Sequence, residues 1–452
     1  MNTIKSAKTL VIFLLANIIS VSLAQNSLDT AKLDSLLTYF SVNNKMMGDI
    51  AIARSGKNLF VKAYGFSYIN NDKKIPAEPN SKYRVGSISK MFTAVMIFQL
   101  IEEKKLGLDV PLSDFFPQLP NAKKITIIDL LSHRSGLHNF TNDSSYMDWY
   151  TRPKTENEMI HLFENQKPDF EPGAKAEYSN TNYVLLGYII EKITKDSYAN
   201  ELKKRITDKI GLKNTYYGHK INTNDGEAFS YSFEDGKWKQ QPETDMSIPG
   251  GAGAVVSTPE DLNKFIQALF RNKLISGSSL KEMTTIKDNY GLGIFRFPFY
   301  DLIAYGHTGG IDGFTSMLAY FPHDSSSFAL CFNGMNYKMN DILIGVLSVY
   351  YNKPYTFPSF KTFNIPESEL VKYIGSYSSP ALPLKIVIKS ENGSLTAQAT
   401  GQSAFPLTPV SETEFTFDPA GITIVFTKTQ SGKYDEFTLK QGGGSFLYTR
   451  EK

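Results

Sequence analysis

The sequence predicts an α/β (α+β) fold, an antiparallel sheet flanked by helices and followed by a small all-β unit, and three observations carry that prediction. Residues 49–54 and 59–64 are apolar-rich runs on either side of Ser55-Gly56-Lys57-Asn58, the signature of a β-hairpin early in the chain. Residues 314–321 and 326–333 repeat the pattern much later, so the first strands precede a long helical stretch and the last strands follow it. Beyond a proline-interrupted segment at 354–366, short apolar runs recur at even spacing between Gly and Asn turns, as in a small antiparallel sheet or barrel.

The elements follow in chain order. Lys5 and Lys8 precede an apolar run at 10–21, and Ser22-Leu23-Ala24 supplies the small residues of a cleavage site, so residues 1–24 read as a signal peptide. The run is shorter than the roughly twenty residues that span a bilayer, so no stable membrane span is expected after cleavage. The mature protein is therefore expected in the periplasm or secreted. Leu28, Leu33, Leu36, Leu37 and Phe40 have the spacing of a surface helix. Residues 65–79 are polar and rich in turn formers. A helix then opens near Ser87, runs through Ala94, Val95, Ile97, Phe98 and Ile101, and is expected to end at Gly107. A loop at 109–120 leads to a short helix at 126–132, which stops at His133-Arg134-Ser135-Gly136-Leu137-His138; histidines in that position most simply bond the last helix carbonyls, with a general-base role as the alternative.

Residues 155–165 are helical and 170–173 form a turn. In the segment 176–188 polar tips precede an apolar helix. Tyr178 and Asn180 share a face if the backbone is extended there; otherwise Asn180 caps the helix and Tyr178 simply packs. Gly250-Gly251-Ala252-Gly253 reads as a glycine-rich strand leading into a capped helix. It lacks the P-loop lysine and the Rossmann spacing, so close backbone packing is the better account than nucleotide binding. Residues 290–295 open the last strands, followed by Tyr305-Gly306-His307-Thr308-Gly309-Gly310. The main unit is thus placed at 25–353, a linker at 354–366 and an all-β unit at 367–452, whose strands are read at 384–389, 395–399, 414–417, 422–427, 436–440 and 445–448. The last unit carries no catalytic cluster and reads as structural or substrate-docking.

Composition narrows the function. With 452 residues, 41% hydrophobic and 21% charged, the chain is an ordinary globular protein with room for two units. A net charge of +3, with scattered lysines and no basic block interleaved with aromatics, points away from nucleic acid. Cys331 is the only cysteine and lies in an apolar run, so the fold rests on its core without disulfides and Cys331 reads as a small buried hydrophobe. The six histidines show no metal-ligand spacing, and neither a metal nor a cofactor is expected.

The chemistry concentrates at Ser87-Ile88-Ser89-Lys90. Three residues apart on a helix, Ser87 and Lys90 share a face, and an amine there can take the hydroxyl proton if its pKa is lowered. Arg84 as a neighbouring charge and Met91 and Phe92 as apolar cover are the candidates for lowering it. Backbone N–H groups at the helix start have no intrahelical partner and can face an oxyanion. The alternative is that Ser87 merely caps the helix and Lys90 lies along its side.

Ser87-Ile88-Ser89-Lys90, Tyr178-Ser179-Asn180 and His307-Thr308-Gly309, in that order, resemble the signature of the serine β-lactamase and penicillin-binding-protein superfamily. The Tyr-x-Asn form of the second motif resembles the branch of class C β-lactamases, DD-carboxypeptidases and family VIII esterases, and the phrase at 130–137 is frequent in it. The resemblance spans residues 36–351. It implies an antiparallel sheet flanked by helices, with a helical region inserted between early and late strands. It also implies that Ser87 forms an acyl-enzyme, that Lys90 and Tyr178 share the proton transfers, that Asn180 holds a substrate amide or orients Lys90, and that the N–H groups of Ser87 and Gly310 form the oxyanion hole beside Thr308 and Gly309. The third motif usually begins with a lysine that binds a substrate carboxylate. His307 in its place implies a weaker, pH-dependent demand for a carboxylate, with activity on such substrates falling as the imidazole loses its proton. The implied function is an exported serine hydrolase of esters or peptide and amide bonds, an esterase, D-amino-acid peptidase, DD-carboxypeptidase or weak β-lactamase, taking a small ester or D-amino-acid peptide. A penicillin- or muropeptide-binding sensor with little turnover is the alternative.

Overall fold

In the computed structural model, residues 28–451 are described, apart from 71, 361–362, 392, 418–419, 429–433 and 442–443. The signal peptide expected at 1–24 lies outside the described residues. The main sheet runs, in spatial order, Phe295–Phe299, Leu302–Ile311, Phe314–Phe321, Ser326–Met335, Met46–Arg54 and Lys57–Tyr64, so the early hairpin completes a sheet begun by the late strands. All these neighbours pair antiparallel, with Ile50 opposite Leu330 at the join.

The central strands are apolar on both faces because both faces are covered. On one side Phe328, Leu330, Phe332, Met317 and Phe321 pack against the helices Thr30–Val42 and Met339–Tyr350. On the other, Ala329, Cys331, Leu318 and Tyr320 join the core of the inserted helices. The strand period of two thus divides each strand between two cores. Cys331 is free and buried, as its apolar run predicts. Gly48, at φ +143°, sits where the register shifts, and a Cβ there would lie 2.1 Å from the Cys331 carbonyl oxygen.

The first helix keeps the predicted face, with Leu33, Leu36, Leu37 and Phe40 buried and Asp29 capping it through the amide of Lys32. The helix Ser89–Glu102 is buried nearly all round, as a core helix is. It stops at Glu102 with Glu103 as its C-cap, followed by Lys104 in the left-handed region at φ +59°, and not at Gly107 as expected. The helix Glu156–Glu164 opens with the Thr155/Glu158 capping box, and Pro259–Phe270 opens with Thr258 as cap and proline in its first turn. Two further expectations are corrected. Residues 65–79 hold a small hairpin, Phe66–Ile69 with Lys74–Pro76. The glycine cluster is a single helical turn, Gly250–Gly253, and the strand is Val255–Ser257, which pairs with Tyr83–Arg84 and Tyr216–Tyr217. That pairing fixes the chain just before Ser87.

The described residues that follow the helix Met339–Tyr350, 351–360, form no helix or strand but are docked. Phe360 stacks on Tyr39 with ring centroids 5.2 Å apart and donates its N–H to the Tyr39 hydroxyl. The chain then closes an eight-stranded barrel from Gly375–Ser378 to Gly444–Arg450. Its interior is filled by Tyr377, Ile388, Ile424, Phe426, Tyr434 and Phe437, so it is a packed core and not a ligand-holding lumen. No helix among the described residues is long and apolar enough to cross a membrane.

Leu330 is fully buried at the centre of the sheet. Leu330→Ala is expected to lower stability by about 2–5 kcal/mol, read from the denaturant midpoint.

Candidate active site

Ser87 lies in a 3-10 turn, Gly86–Ile88, that feeds directly into the helix Ser89–Glu102. Gly86 at φ +50° passes so close to the strand Leu302–Ile311 that a Cβ would sit 2.8 Å from the backbone of Gly310. Gly309 meets the turn from the other side, where a Cβ would lie 2.0 Å from the Val85 carbonyl oxygen. Side chains are excluded from this junction so that backbone can meet backbone. Ser316 Oγ donates to the same carbonyl at 2.8 Å, and the amide of Val255 donates to Ser89 Oγ at 3.0 Å.

One helical turn beyond Ser87, Lys90 is completely buried. Its Nζ lies 3.0 Å from Ser87 Oγ and donates to Asn180 Oδ1 and to the Ala252 carbonyl, each at 2.8 Å. Burial holds the amine well below its ordinary pKa. A neutral amine has two N–H donors and one lone pair, which matches two carbonyl acceptors and one hydroxyl proton. The hydroxyl of Tyr178 donates to Ser87 Oγ at 2.8 Å. Burial raises the Tyr178 pKa, outweighing the opposing effect of the Ser87 contact, so the phenol keeps its proton. Ser87 itself is only half-buried and open to the cleft.

The expected role of Arg84 is corrected. Arg84 is buried and bound by Asp312 and Glu243 at 2.9 Å each and by the carbonyls of Thr244 and His219. It ties the strand before Ser87 to three loops, and desolvation alone lowers Lys90. The capping alternative for Asn180 is overturned as well: Ser179 is the N-cap and Asn180 the first helical residue. Its amide nitrogen Nδ2 donates to Thr141 Oγ1 at 3.1 Å and its backbone N–H to Asn139 Oδ1 at 2.9 Å, so its oxygen is held toward Lys90. Asn139, Thr141 and the Ala252 carbonyl escaped the sequence reading. The polar loop after His138 was the only signal for the first two, and a backbone carbonyl leaves none.

His307 also differs from expectation. It is buried, its ring lies 4.4 Å from that of Phe295, and Nδ1 donates to the Thr308 carbonyl at 2.5 Å. Burial pushes its pKa down to about 3, so it is neutral near physiological pH and supplies no switchable cation. Thr308 and Gly310 are exposed on the same strand, and beyond Gly306 that strand has no partner on its Phe295–Phe299 side among the described residues. Two lobes of the cleft meet at Ser87 and Gly310. One, of about 290 Å³, is bordered by Phe140, Tyr146, Tyr150, Asn180 and Asp312. The other, of about 390 Å³, is bordered by Tyr178, Tyr290, Phe295, His307 and Thr308. Among the described residues, no arginine or lysine side chain borders either lobe. His138 lies outside them, between Asp169 at 2.8 Å and Asp143 at 3.1 Å, while His133 packs against the Tyr178 ring. The side chains of neither histidine bond the helix carbonyls.

This geometry has counterparts. A family model described as Beta-lactamase matches residues 37–345. Penicillin-binding protein 4* of Bacillus subtilis (strain 168) is 27% identical over 455 residues, covering 93% of this chain and 98% of its own. The teichoic acid D-alanine hydrolase of Staphylococcus aureus (strain MRSA252) is 27% identical over 324 residues, covering 69% of this chain and 77% of its own. The crystal structure of D-amino acid amidase from Ochrobactrum anthropi SV3, complexed with D-phenylalanine, superposes with a TM-score of 0.63 at 26% identity, over 72% of this chain and 99% of that one.

Folding lowers the Lys90 pKa well below the value it keeps in the unfolded chain, so the unfolded chain holds that proton to higher pH. Wild type is therefore expected to gain stability relative to Lys90→Met as pH rises from about 7 toward about 10, by at most about 1.4 kcal/mol per pH unit. Denaturant titrations of both proteins across that range check it.

Proposed function

The chain belongs to the beta-lactamase family and is a serine hydrolase, and from that premise we propose that Ser87 is its nucleophile and that it hydrolyses small esters or amides of D-amino acids. The observation that carries the proposal is that one half-exposed hydroxyl lies within hydrogen-bond reach of both a buried amine and a half-buried phenol at the junction of two cleft lobes.

Lys90 takes the Ser87 proton as Oγ adds to the substrate carbonyl carbon. The resulting oxyanion is held by the N–H groups of Ser87 and Gly310, each typically worth about 3 kcal/mol to the transition state. Tyr178 gives its proton to the leaving oxygen or nitrogen as the bond to carbon breaks, and the lysine proton restores the phenol. Water then adds to the acyl-enzyme with the same groups removing its proton. The Ser87 ester bond breaks, the acid leaves and the hydroxyl is regenerated. Thr308, Gly309 and His307 shape the wall along which the substrate lies, and Asn180 orients Lys90.

The substrate class is supported by the two relatives whose names specify D-alanine and D-amino acid amides. It is also supported by a cleft with a neutral His307 and no fixed cation at its wall, which favours substrates that need no carboxylate. Export belongs to the same proposal, on the basic start and apolar run within residues 5–24.

A fluorophosphonate probe is expected to add to wild type at Ser87, seen by intact mass and peptide mapping, and to leave Ser87→Ala unlabelled; equal labelling of both proteins rejects the nucleophile. Turnover of D-alanine p-nitroanilide or p-nitrophenyl esters well beyond one equivalent separates a hydrolase from a sensor that stays acylated. With His307 neutral, the ratio of activity on carboxylate-bearing to neutral substrates is expected to stay flat between about pH 5 and about pH 9. A ratio that falls through the imidazole range restores the cationic role for His307.

A further inference from the structure

We propose that His133 is a positioning residue for Tyr178, gripping the backbone on both sides of it and the ring itself. The inference rests on the proposed roles of Ser87 and Tyr178 and adds to them a residue outside the three motifs. His133 closes the short helix Ile127–Leu131 and is 2% exposed, with φ at +59°. The amide of Glu177 donates to its backbone carbonyl at 2.9 Å. The amide of Ser179 donates to its Nδ1 at 3.2 Å. Both amides that flank Tyr178 therefore end on this single residue. Between them, the imidazole lies against the phenol ring with centroids 4.5 Å apart and an interplanar angle of 32°.

The tautomer follows from the donor. A backbone N–H can only donate, so Nδ1 is the unprotonated nitrogen and the ring proton sits on Nε2. Protonation of Nδ1 would set two donors against each other. The ring also touches Tyr183 at 5.2 Å and Tyr290 at 5.3 Å, and Tyr183 in turn donates its hydroxyl to the Leu131 carbonyl at 2.7 Å. The rings of Tyr178 and Tyr183 both border Lys90 Nζ. His133 thus fixes one wall of the amine's enclosure as well as the direction of the phenol hydroxyl. It does not reach the reacting atoms; its effect passes through Tyr178.

The positive φ makes the choice of variants easy, because Asn tolerates that region and offers an acceptor near the place of Nδ1. His133→Ala removes grip and ring together. It is expected to lower the rate constant of ester turnover roughly 30-fold to 100-fold while KM stays within about threefold, the pattern of a displaced catalytic group and not of lost binding. His133→Asn is expected to recover at least about fivefold of that loss. In a Tyr178→Phe background, where the phenol hydroxyl is gone, His133→Ala is expected to cost less than about threefold in the rate of fluorophosphonate labelling of Ser87. An unchanged rate in His133→Ala overturns the proposal, as does the same fold loss in both backgrounds. If the alanine variant does not fold, the asparagine variant in the two backgrounds reads the same coupling: a loss confined to the Tyr178 background supports it and equal losses overturn it. Labelling of Ser87 in wild type reports separately on the nucleophile, so failure of that assignment is distinguishable from failure of this one.

Discussion

The structure depends on the burial of one amine. Lys90 Nζ is sealed from solvent among the Asn180 amide, the Ala252 carbonyl, the Ser87 hydroxyl and two tyrosine rings. Moving a charged ammonium into such a place costs several kcal/mol, and the group avoids that cost by giving up its proton. A lysine in water could not serve as a base near neutral pH, and here the interior supplies the change in basicity with no neighbouring cation.

Several otherwise unrelated features are consequences of that burial. The Ala252 carbonyl reaches Lys90 because Gly250–Gly253 forms a helical turn tight against the helix that begins at Asn180, where a Cβ on Gly251 would sit 2.6 Å from the Tyr183 carbonyl oxygen. Asn180 points inward because Thr141 and Asn139 hold its remaining polar groups. Arg84 uses its guanidinium to pin the strand before Ser87 to Asp312 and Glu243, and not to lower the pKa of the amine as expected. The main sheet contributes the exposed backbone of Gly310, and two glycines remove the side chains that would hold strand and turn apart.

The sequence revealed those parts of the site that depend on local spacing. Ser87 with Lys90 is a helix-face relation, and Tyr178 with Asn180 a short dyad, so both were visible before any tertiary contact was known. Effects that arise only when distant segments meet were hidden. The charge of His307 is set by its burial beside Phe295, and the partners of Asn180 lie in a loop that no periodicity marks. The helix Met339–Tyr350 went unread because it is apolar on nearly every side and its N-cap, Lys338, supplies no side-chain hydrogen bond. In the barrel, Gly375–Ser378 and Phe405–Pro409 went unread because one carries a single apolar residue, Tyr377, and the other is interrupted by Pro406 and Pro409. The strands with clear alternation were found.

The central claim concerns the protonation of a single nitrogen, and it is directly observable. With 13C-labelled lysine and the Lys90 signal assigned by its absence in Lys90→Met, the Cε shift can be followed against pH. The account predicts that Lys90 titrates well below every other lysine in the protein, remaining neutral at pH values where those are charged. A Lys90 midpoint near the ordinary value of about 10.4 would contradict it.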